Sequence, residues 1–423
     1  PAIFNRHEQL VVLVANTKGF KEMLSLYGPV VISKIYLYFT DHISQFLSTQ
    51  PWGVAMPLPT GQNVHIIALP GAQFFMLVSV KTQHAEKNTE EIINALLKET
   101  QNITTKSEIK INMHLELGYA VLNNPNDFQQ CYMQAQTALL SSPAQHSNYQ
   151  SYNPVQDTVI NERLSLMHEL ESAIIYETLQ IYIQPQFNLK QLTLSGGEVL
   201  LRWIHPKKGN IPPAKFIVLA EKSGLIYPIT QLVIKQTCQW LKHIKKVNPE
   251  CLNQFSVSIN LSALDMAQDD LVPYLQDMLN QYHVNAKNIM LEVTESAVMD
   301  NPEKFLDTIK QLKEAGFKIS IDDFGTGYSS MRYLQTMQAN EIKIDMAFIH
   351  DIHLNETNQN IVKAIIQLAH STHAHTVAEG VQCSEEAHYL SDLNCHMAQG
   401  FYWNPALPLT EFEAKYLLNK TPH

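Results

Sequence analysis

Ile319-Ser320-Ile321-Asp322-Asp323-Phe324-Gly325-Thr326-Gly327-Tyr328-Ser329-Ser330 decides how this chain is read. A short β-branched run ends in two adjacent carboxylates and opens at once into a loop with two glycines. Adjacent carboxylates repel, so the pair is costly unless a cation sits beside it. Gly325 and Gly327 let the backbone turn where a side chain would clash. A strand that ends in acids and runs into such a loop has the form of the catalytic end of a strand in an α/β barrel. Taken alone, the stretch also fits a solvated acidic turn.

Working outward, strand and helix patterns alternate on both sides. Residues 289–294 read as a strand. Asn301-Pro302-Glu303 is a helix start and Ala315-Gly316 a helix stop, just before the strand at 317–321. Further strands are expected at 341–344 and 376–377. Upstream, strands at 181–184, 197–201 and 255–259 are separated by helices at 213–223, closed by Gly224, and at 228–246; a helix at 271–282 follows. Repeated strand–helix units over about 260 residues predict a (β/α)8-type barrel.

Acids or amides recur at or near these strand ends. Glu198 lies in Gly-Gly-Glu198-Val199-Leu200-Leu201-Arg202-Trp203, and Asn260 follows Ser256-Val257-Ser258-Ile259. Glu292 and Glu295 lie in Leu291-Glu292-Val293-Thr294-Glu295-Ser296, Lys343 between Ile342 and Ile344, and Glu379 before Gly380. In a parallel barrel these ends converge on one rim. Oxygen-only ligands select hard cations, Mg²⁺ or Mn²⁺, and two such ions can clamp the attacking and leaving oxygens of a phosphoryl displacement. Each residue also has a plainer reading. Glu198 fits a buried acid paired with Arg202, Asn260 a turn or cap, Lys343 the solvent side of an edge strand, and Glu379 an ordinary turn acid. Their joint occurrence at successive strand ends favours the metal-assisted reading.

The chain of 423 residues is long enough for two domains, and its 45% hydrophobic content suits a soluble globular protein. A net charge of −10 disfavours extended DNA or RNA contact. The five cysteines form no Cys-x-x-Cys pair and no zinc pattern, which fits reduced thiols in a cytoplasmic protein. The chain starts at Pro1 without Met, so a sensor or membrane segment upstream is an expectation. Residues 10–14 read as a strand, 19–27 and 30–47 as helical, and 64–69 with 74–80 as a hairpin around Pro70-Gly71. Residues 89–99 read as a helix, 109–121 as a strand with Ile111, Met113, Leu115 and Leu117 on one face, and 129–140 as a helix. This order predicts a compact α+β domain, with the polar stretch 141–157 as its end and a linker, and a helix at 161–179 beyond. The expected division is a first domain over 1–150, a linker over 151–162 and the barrel over 163–418.

The second domain resembles the EAL family of cyclic di-GMP phosphodiesterases. The resemblance is carried in order by Gln184-Pro185, Glu198-Val199-Leu200-Leu201-Arg202-Trp203, Asn260-Leu261-Ser262, Glu292-Val293-Thr294-Glu295-Ser296, the opening stretch, Lys343-Ile344-Asp345, Ala378-Glu379-Gly380-Val381 and Gln399-Gly400-Phe401. It implies a variant (β/α)8 barrel that hydrolyses cyclic di-GMP to linear pGpG with two Mg²⁺ or Mn²⁺ ions. It further implies that Glu198, Asn260, Glu292, Asp322, Asp323 and Glu379 are metal ligands and that Lys343 holds the nucleophilic water. Gln399 would support the water or metal network, Gln184 and Arg202 would bind substrate, and Glu295 would anchor the glycine loop, which in this family also contributes to a homodimer contact. The motif reads Glu-Val-Leu where the family has Glu-Ala-Leu, and Gln382 replaces the usual acid. The alternative to an active enzyme is a cyclic di-GMP receptor that binds without turnover.

The first domain is similar to a degenerate GGDEF diguanylate cyclase domain. Phe20-Lys21-Glu22 and Tyr27-Gly28 stand where that family's first helix has its signature, and Pro70-Gly71-Ala72-Gln73-Phe74 replaces the acidic hairpin. Asn16 stands at the metal-binding acid, Leu24 and Ser33 at the guanine readers, and Gly61 and Val64 at the inhibitory pair. The resemblance thus implies no cyclase activity and a regulatory or dimer-forming role.

Overall fold

Leu10 to Ala15 are six consecutive apolar residues, each at most 7% exposed. A run buried on both faces belongs to the centre of a covered sheet, and β1 (Glu8–Thr17) occupies that position. The structure is a computed structural model that describes residues 8–101, 114–141, 148–253, 255–295, 297, 301–325 and 336–418. It divides into two units, Pro1–Ser165 and Leu166–His423.

In the first unit the sheet order is β2 (Ile66–Leu69), β3 (Gln73–Lys81), β1, β4 (Leu115–Leu122) and β5 (Tyr149–Ser151). All neighbours are antiparallel except β4 and β5. Phe39, Ile43 and Leu47 of α1 (Phe20–Thr49) and Ile93 and Leu96 of α2 (Ala85–Gln101) form one apolar cluster with Val11, Leu13 and Ala15. Cys131, Ala135 and Leu139 of α3 (Phe128–Ser141) form the other with Leu10, Val12 and Val14. The period-2 alternation of β1 therefore feeds two cores. Helical geometry in α1 breaks at Gly28, just before Pro29, where the sequence separates two helical stretches. Of the expected 109–121 strand, Ile111 and Met113 lie outside the described residues.

The part of the polar stretch 141–157 that lies among the described residues from 148 onward holds a strand and the start of a helix. β5 pairs with β4 in the register Leu117↔Tyr149 and Tyr119↔Ser151, and the Tyr119 and Tyr149 rings lie 6.5 Å apart. α4 (Pro154–Ile175) starts at Asn153, whose Oδ1 accepts from Val155 N while Gln156 Oε1 accepts from Asn153 N. Asn153-x-x-Gln156 has capping-box spacing, a local signal that needs no apolar periodicity.

In the second unit eight strands close into a barrel: β6 (Gln180–Asn188), β7 (Thr193–His205), β8 (Ser256–Leu261), β9 (Ile289–Thr294), β10 (Lys318–Phe324), β11 (Glu341–Ile344), β12 (His375–Ala378) and β13 (Met397–Ala398). β7 to β13 run parallel. β6 is antiparallel to both its neighbours, a departure from an all-parallel barrel. The cause is local. Asn188 Oδ1 accepts from Lys190 N and Gln191 N, and Leu192 takes a left-handed φ of 54°, so the chain reverses too tightly for a crossover helix.

Outside the barrel lie α5 (Pro213–Ser223), α6 (Ile226–Val247), α7 (Leu271–Tyr282), α8 (Pro302–Glu314), α9 (Glu356–Ser371) and α10 (Ser384–Asp392). Asn301 caps α8 through Lys304 N, and Phe305, Ile309 and Leu312 form its buried stripe. Each such side chain, fully buried, stabilises by about 1.5–3 kcal/mol. Leu166, Leu170 and Ala173 of α4 belong to the same apolar core. Among the described residues no helix is long and apolar enough to cross a membrane.

Candidate active site

Glu198 reaches the barrel interior because two glycines precede it. A Cβ on Gly197 would come within 2.4 Å of Ile183 Cγ2, and one on Gly196 within 2.7 Å of Ser256 O. Only residues without a side chain let β6, β7 and β8 approach this closely. Glu198 then accepts from Asn260 Nδ2 at 2.8 Å through Oε1, and from Gln399 Nε2 at 2.6 Å and Lys343 Nζ at 3.3 Å through Oε2.

Lys343 is the centre of the arrangement. Its Nζ lies 2.7 Å from Glu379 Oε1, 2.9 Å from Glu292 Oε2, 3.0 Å from Asp322 Oδ1 and 3.3 Å from Glu198 Oε2. Four acids from four chain segments thus share one ammonium, and Lys343 itself is fully buried. A lone ammonium at this depth would lose several kcal/mol of hydration. Burial alone would push its pKa down; Glu198, Glu292, Glu379 and Asp322 outweigh burial and hold it well above the usual lysine value.

Asp322 and Asp323 are neighbours in a strand, where side chains alternate between faces. Here the alternation is broken. The pairing of β10 with β11 shifts register between Ile321 and Phe324, and Asp323 adopts a left-handed φ of 53°. A bulge of this kind re-aims a side chain. As a result ligand atoms of Asp322, Asp323 and Glu379 all lie within 4.8 Å of one another.

The acids respond unequally to this crowding. Burial would raise Glu198, but Lys343 and the hydrogen bonds from Gln399 and Asn260 hold it below the usual range. Burial lifts Glu292 well above it, with the charges of Glu198 and Asp322 adding to the effect and Lys343 opposing it. Burial, opposed by Lys343 and reinforced by Asp322 and Glu198, pushes Glu379 up to about 8. Burial and the adjacent Asp322 charge push Asp323 up to about 6. Glu292 Oε1 is buried and accepts no hydrogen bond among the described residues. Five carboxylates, one ammonium and an orphaned buried oxygen form a donor set short of positive charge, and all-oxygen donors fit hard divalent cations.

The structure brings Glu198, Asn260, Glu292, Asp322, Asp323, Lys343, Glu379 and Gln399 to one end of the barrel. Glu198 is not paired with Arg202, Asn260 is a hydrogen-bond partner of Glu198 rather than only a turn residue, and Lys343 faces the interior. Glu295, just beyond β9, accepts from Gly325 N at 3.2 Å; Gly325 has φ 99°. The remainder of the glycine loop, Thr326 to Ser330 with Gly327, lies outside the described residues. Gln184 and Arg202 stand apart from the ring. Gln184 Nε2 donates to Asn404 O at 3.3 Å, and Arg202 donates to Leu201 O at 2.9 Å with its guanidinium over the Tyr182 ring. One polar residue was missed in the sequence. Gln186, 3% exposed, donates to Gln399 Oε1 at 2.9 Å and so orients the amide that bridges Glu198 and Glu379. Its signal is the alternation of amides at Gln184, Gln186 and Asn188 in this strand. Beneath the ring, buried Ser320 donates to buried Glu341 at 2.9 Å.

Comparison with known proteins places these residues in context. The family model described as EAL domain matches residues 167–406. The chain is 29% identical, over 410 residues, to the bifunctional diguanylate cyclase/cyclic di-GMP phosphodiesterase MucR of Pseudomonas aeruginosa, covering 96% of this chain and 57% of that protein. It is 32% identical over 293 residues to the cyclic di-GMP phosphodiesterase NbdA of the same organism, covering 68% of this chain and 37% of NbdA. Among solved structures, the phosphodiesterase of Pseudomonas aeruginosa MucR in complex with c-di-GMP matches with a TM-score of 0.56 and 35% identity, over 59% of this chain and 99% of that one. The chain therefore spans little more than half the length of one curated relative and less of the other.

Proposed function

The chain belongs to the EAL domain family, and from that premise we propose that it hydrolyses cyclic di-GMP to linear pGpG with a pair of Mg²⁺ or Mn²⁺ ions. The observation that carries this reading is the ring around Lys343. Four carboxylates lie within 3.3 Å of its Nζ, and Glu292 Oε1 has no donor among the described residues. Glu198, Asn260, Glu292, Asp322, Asp323 and Glu379 would hold the ions. When bound, such ions supply the Lewis acidity that activates water and neutralises charge on the phosphodiester. The chain's own residues do the rest. Lys343 orients the attacking water and offsets the charge of the acids around it. Gln399, fixed by Gln186, aligns Glu198 with Glu379, and Glu379 ligates an ion or accepts a proton from the water. Arg202 offers a planar fork to a substrate phosphate once its bond to Leu201 O is released, and Gln184 lies on the neighbouring strand.

In this reading residues 1–150 are a degenerate cyclase-like domain, 151–162 a linker and 163–418 the hydrolase. Support for the first part is the alignment of 96% of the chain with a relative named as bifunctional. The register also places Asn16 opposite Gln73, with no carboxylate on either. Such a domain would make no cyclic di-GMP and would regulate the barrel or hold a homodimer together. The test is hydrolysis of labelled cyclic di-GMP by the full chain, with and without Mg²⁺. Metal-dependent release of pGpG is expected; tight binding without release would instead make the protein a receptor.

A further inference from the structure

Outside the acidic ring a second group of potential ligands has a different chemistry. His353 lies in the loop beyond the short helix Met346–Ile349, and Cys383 and Glu386 open α10. One ligand atom from each of the three lies within 4.8 Å of the other two. Glu386 is 1% exposed and rigidly held, Oε1 accepting from Asp351 N at 2.9 Å and Oε2 from Gln382 N at 2.7 Å. Each oxygen keeps a further lone pair. These two bonds explain Glu386 as a tie between loops, but they leave His353 unexplained. His353 Nδ1 is buried with no hydrogen-bond partner among the described residues, and a buried polar nitrogen in that state calls for a reason. Cys383, half-buried and in no disulfide, stands beside it, its sulfur in hydrogen-bond contact with Glu385 and with the backbone at the start of α10. An open depression of about 450 Å³, lined by His353, Ser384, Glu385 and His388 among others, adjoins the group on the His353 side.

A nitrogen, a sulfur and an oxygen donor do not suit Mg²⁺, which takes oxygen, and do suit a borderline ion. We propose that His353 Nδ1, Cys383 Sγ and one Glu386 oxygen form a Zn²⁺ site distinct from the acidic ring, with the fourth position open to water. Binding takes the imidazole as the neutral base and releases the Cys383 thiol proton to solvent; no electron transfer is involved. The three ligands come from the two loops that follow β11 and β12, so an ion there cross-links the segments that carry Lys343 and Glu379.

The test is a Co²⁺ titration of the full chain in excess Mg²⁺, which occupies oxygen-only sites. A thiolate-to-cobalt charge-transfer band in the near ultraviolet is expected, saturating at one equivalent and bleached by Zn²⁺. Cys383→Ser should abolish the band, and His353→Ala should weaken apparent affinity at least ~10-fold. Glu198→Ala should leave the band intact, which separates this site from the proposed hydrolase centre. Absence of the band, or its survival in Cys383→Ser, overturns the proposal. On the unmutated protein, Zn²⁺ should slow alkylation of Cys383 at least ~10-fold, read by peptide mass spectrometry; an unchanged rate is equally fatal.

Discussion

Lys343→Met removes the ammonium while keeping much of the side chain's length, and it isolates what that charge contributes. Four carboxylates approach Nζ to between 2.7 and 3.3 Å, and the site is fully buried. Removing one partner of a buried ion pair costs about 3–5 kcal/mol. Four acids share this one cation, so the figure is not multiplied by four, and protonation of Glu292 and Glu379 limits it further. For a unit of this size each kcal/mol shifts Tm by roughly 2–4 °C, so a loss on the order of 10 °C follows. The assay is thermal unfolding followed by tryptophan fluorescence at about pH 8 with EDTA. Trp203, Trp240 and Trp403 report on the barrel. Saturating Mn²⁺ should recover much of the loss, because a divalent ion replaces the missing charge. The loss should also shrink as pH falls and the carboxylates neutralise. A metal-free variant that melts within about 2 °C of the unmutated protein would refute the view that this ammonium balances the ring.

Glu198→Ala removes the acceptor shared by Asn260, Lys343 and Gln399, and cyclic di-GMP hydrolysis should fall by at least ~10²–10³-fold in kcat; near-normal turnover would contradict its assignment as a ligand. Gln186→Leu frees the Gln399 amide, and kcat should drop roughly 10–100-fold with unchanged circular dichroism. Asp323, at about 6, and Glu379, at about 8, hold protons that an entering cation must displace. Mn²⁺ affinity measured by calorimetry should therefore climb through that interval. Both values lie above those of the unfolded chain, so the metal-free barrel should lose stability as pH rises from about 4 through about 8. Gly196→Ala puts a Cβ within 2.7 Å of Ser256 O and should destabilise the barrel by about 1–3 kcal/mol in urea unfolding.

Much of the barrel was legible because its strands are short apolar runs that end in acids, and because helix signals such as Asn301-Pro302 and Gly224 are local. The reversal of β6 was not read, since it depends on one asparagine side chain and a left-handed leucine rather than on periodicity. β5 was lost because Tyr149-Gln150-Ser151 is short and polar, with no apolar alternation to mark it. The acids and their convergence on one rim could be read from the sequence, but the local geometry that lets two adjacent acids share it could not. Asp322 and Asp323 would face opposite sides of a regular strand, and only the bulge lets both serve one centre. Gln186 carries little signal alone; its role depends on Gln399, and that contact exists only in three dimensions.

That contact also sets a timetable. Gln186 and Gln399 are 213 residues apart, on the first and just beyond the last strand of the barrel. A ribosome adding about 5–20 residues per second needs roughly ten to forty seconds to travel from one to the other. Throughout that interval Glu198, Glu292, Asp322 and Glu379 emerge in turn without the amide that will hold Glu198 against Glu379. The nascent chain thus carries these acids with Lys343 and Asn260 in place but without the bridging amide until the last barrel strand has been made, and a chain stalled before Gln399 would hold every acid of the ring and lack that brace.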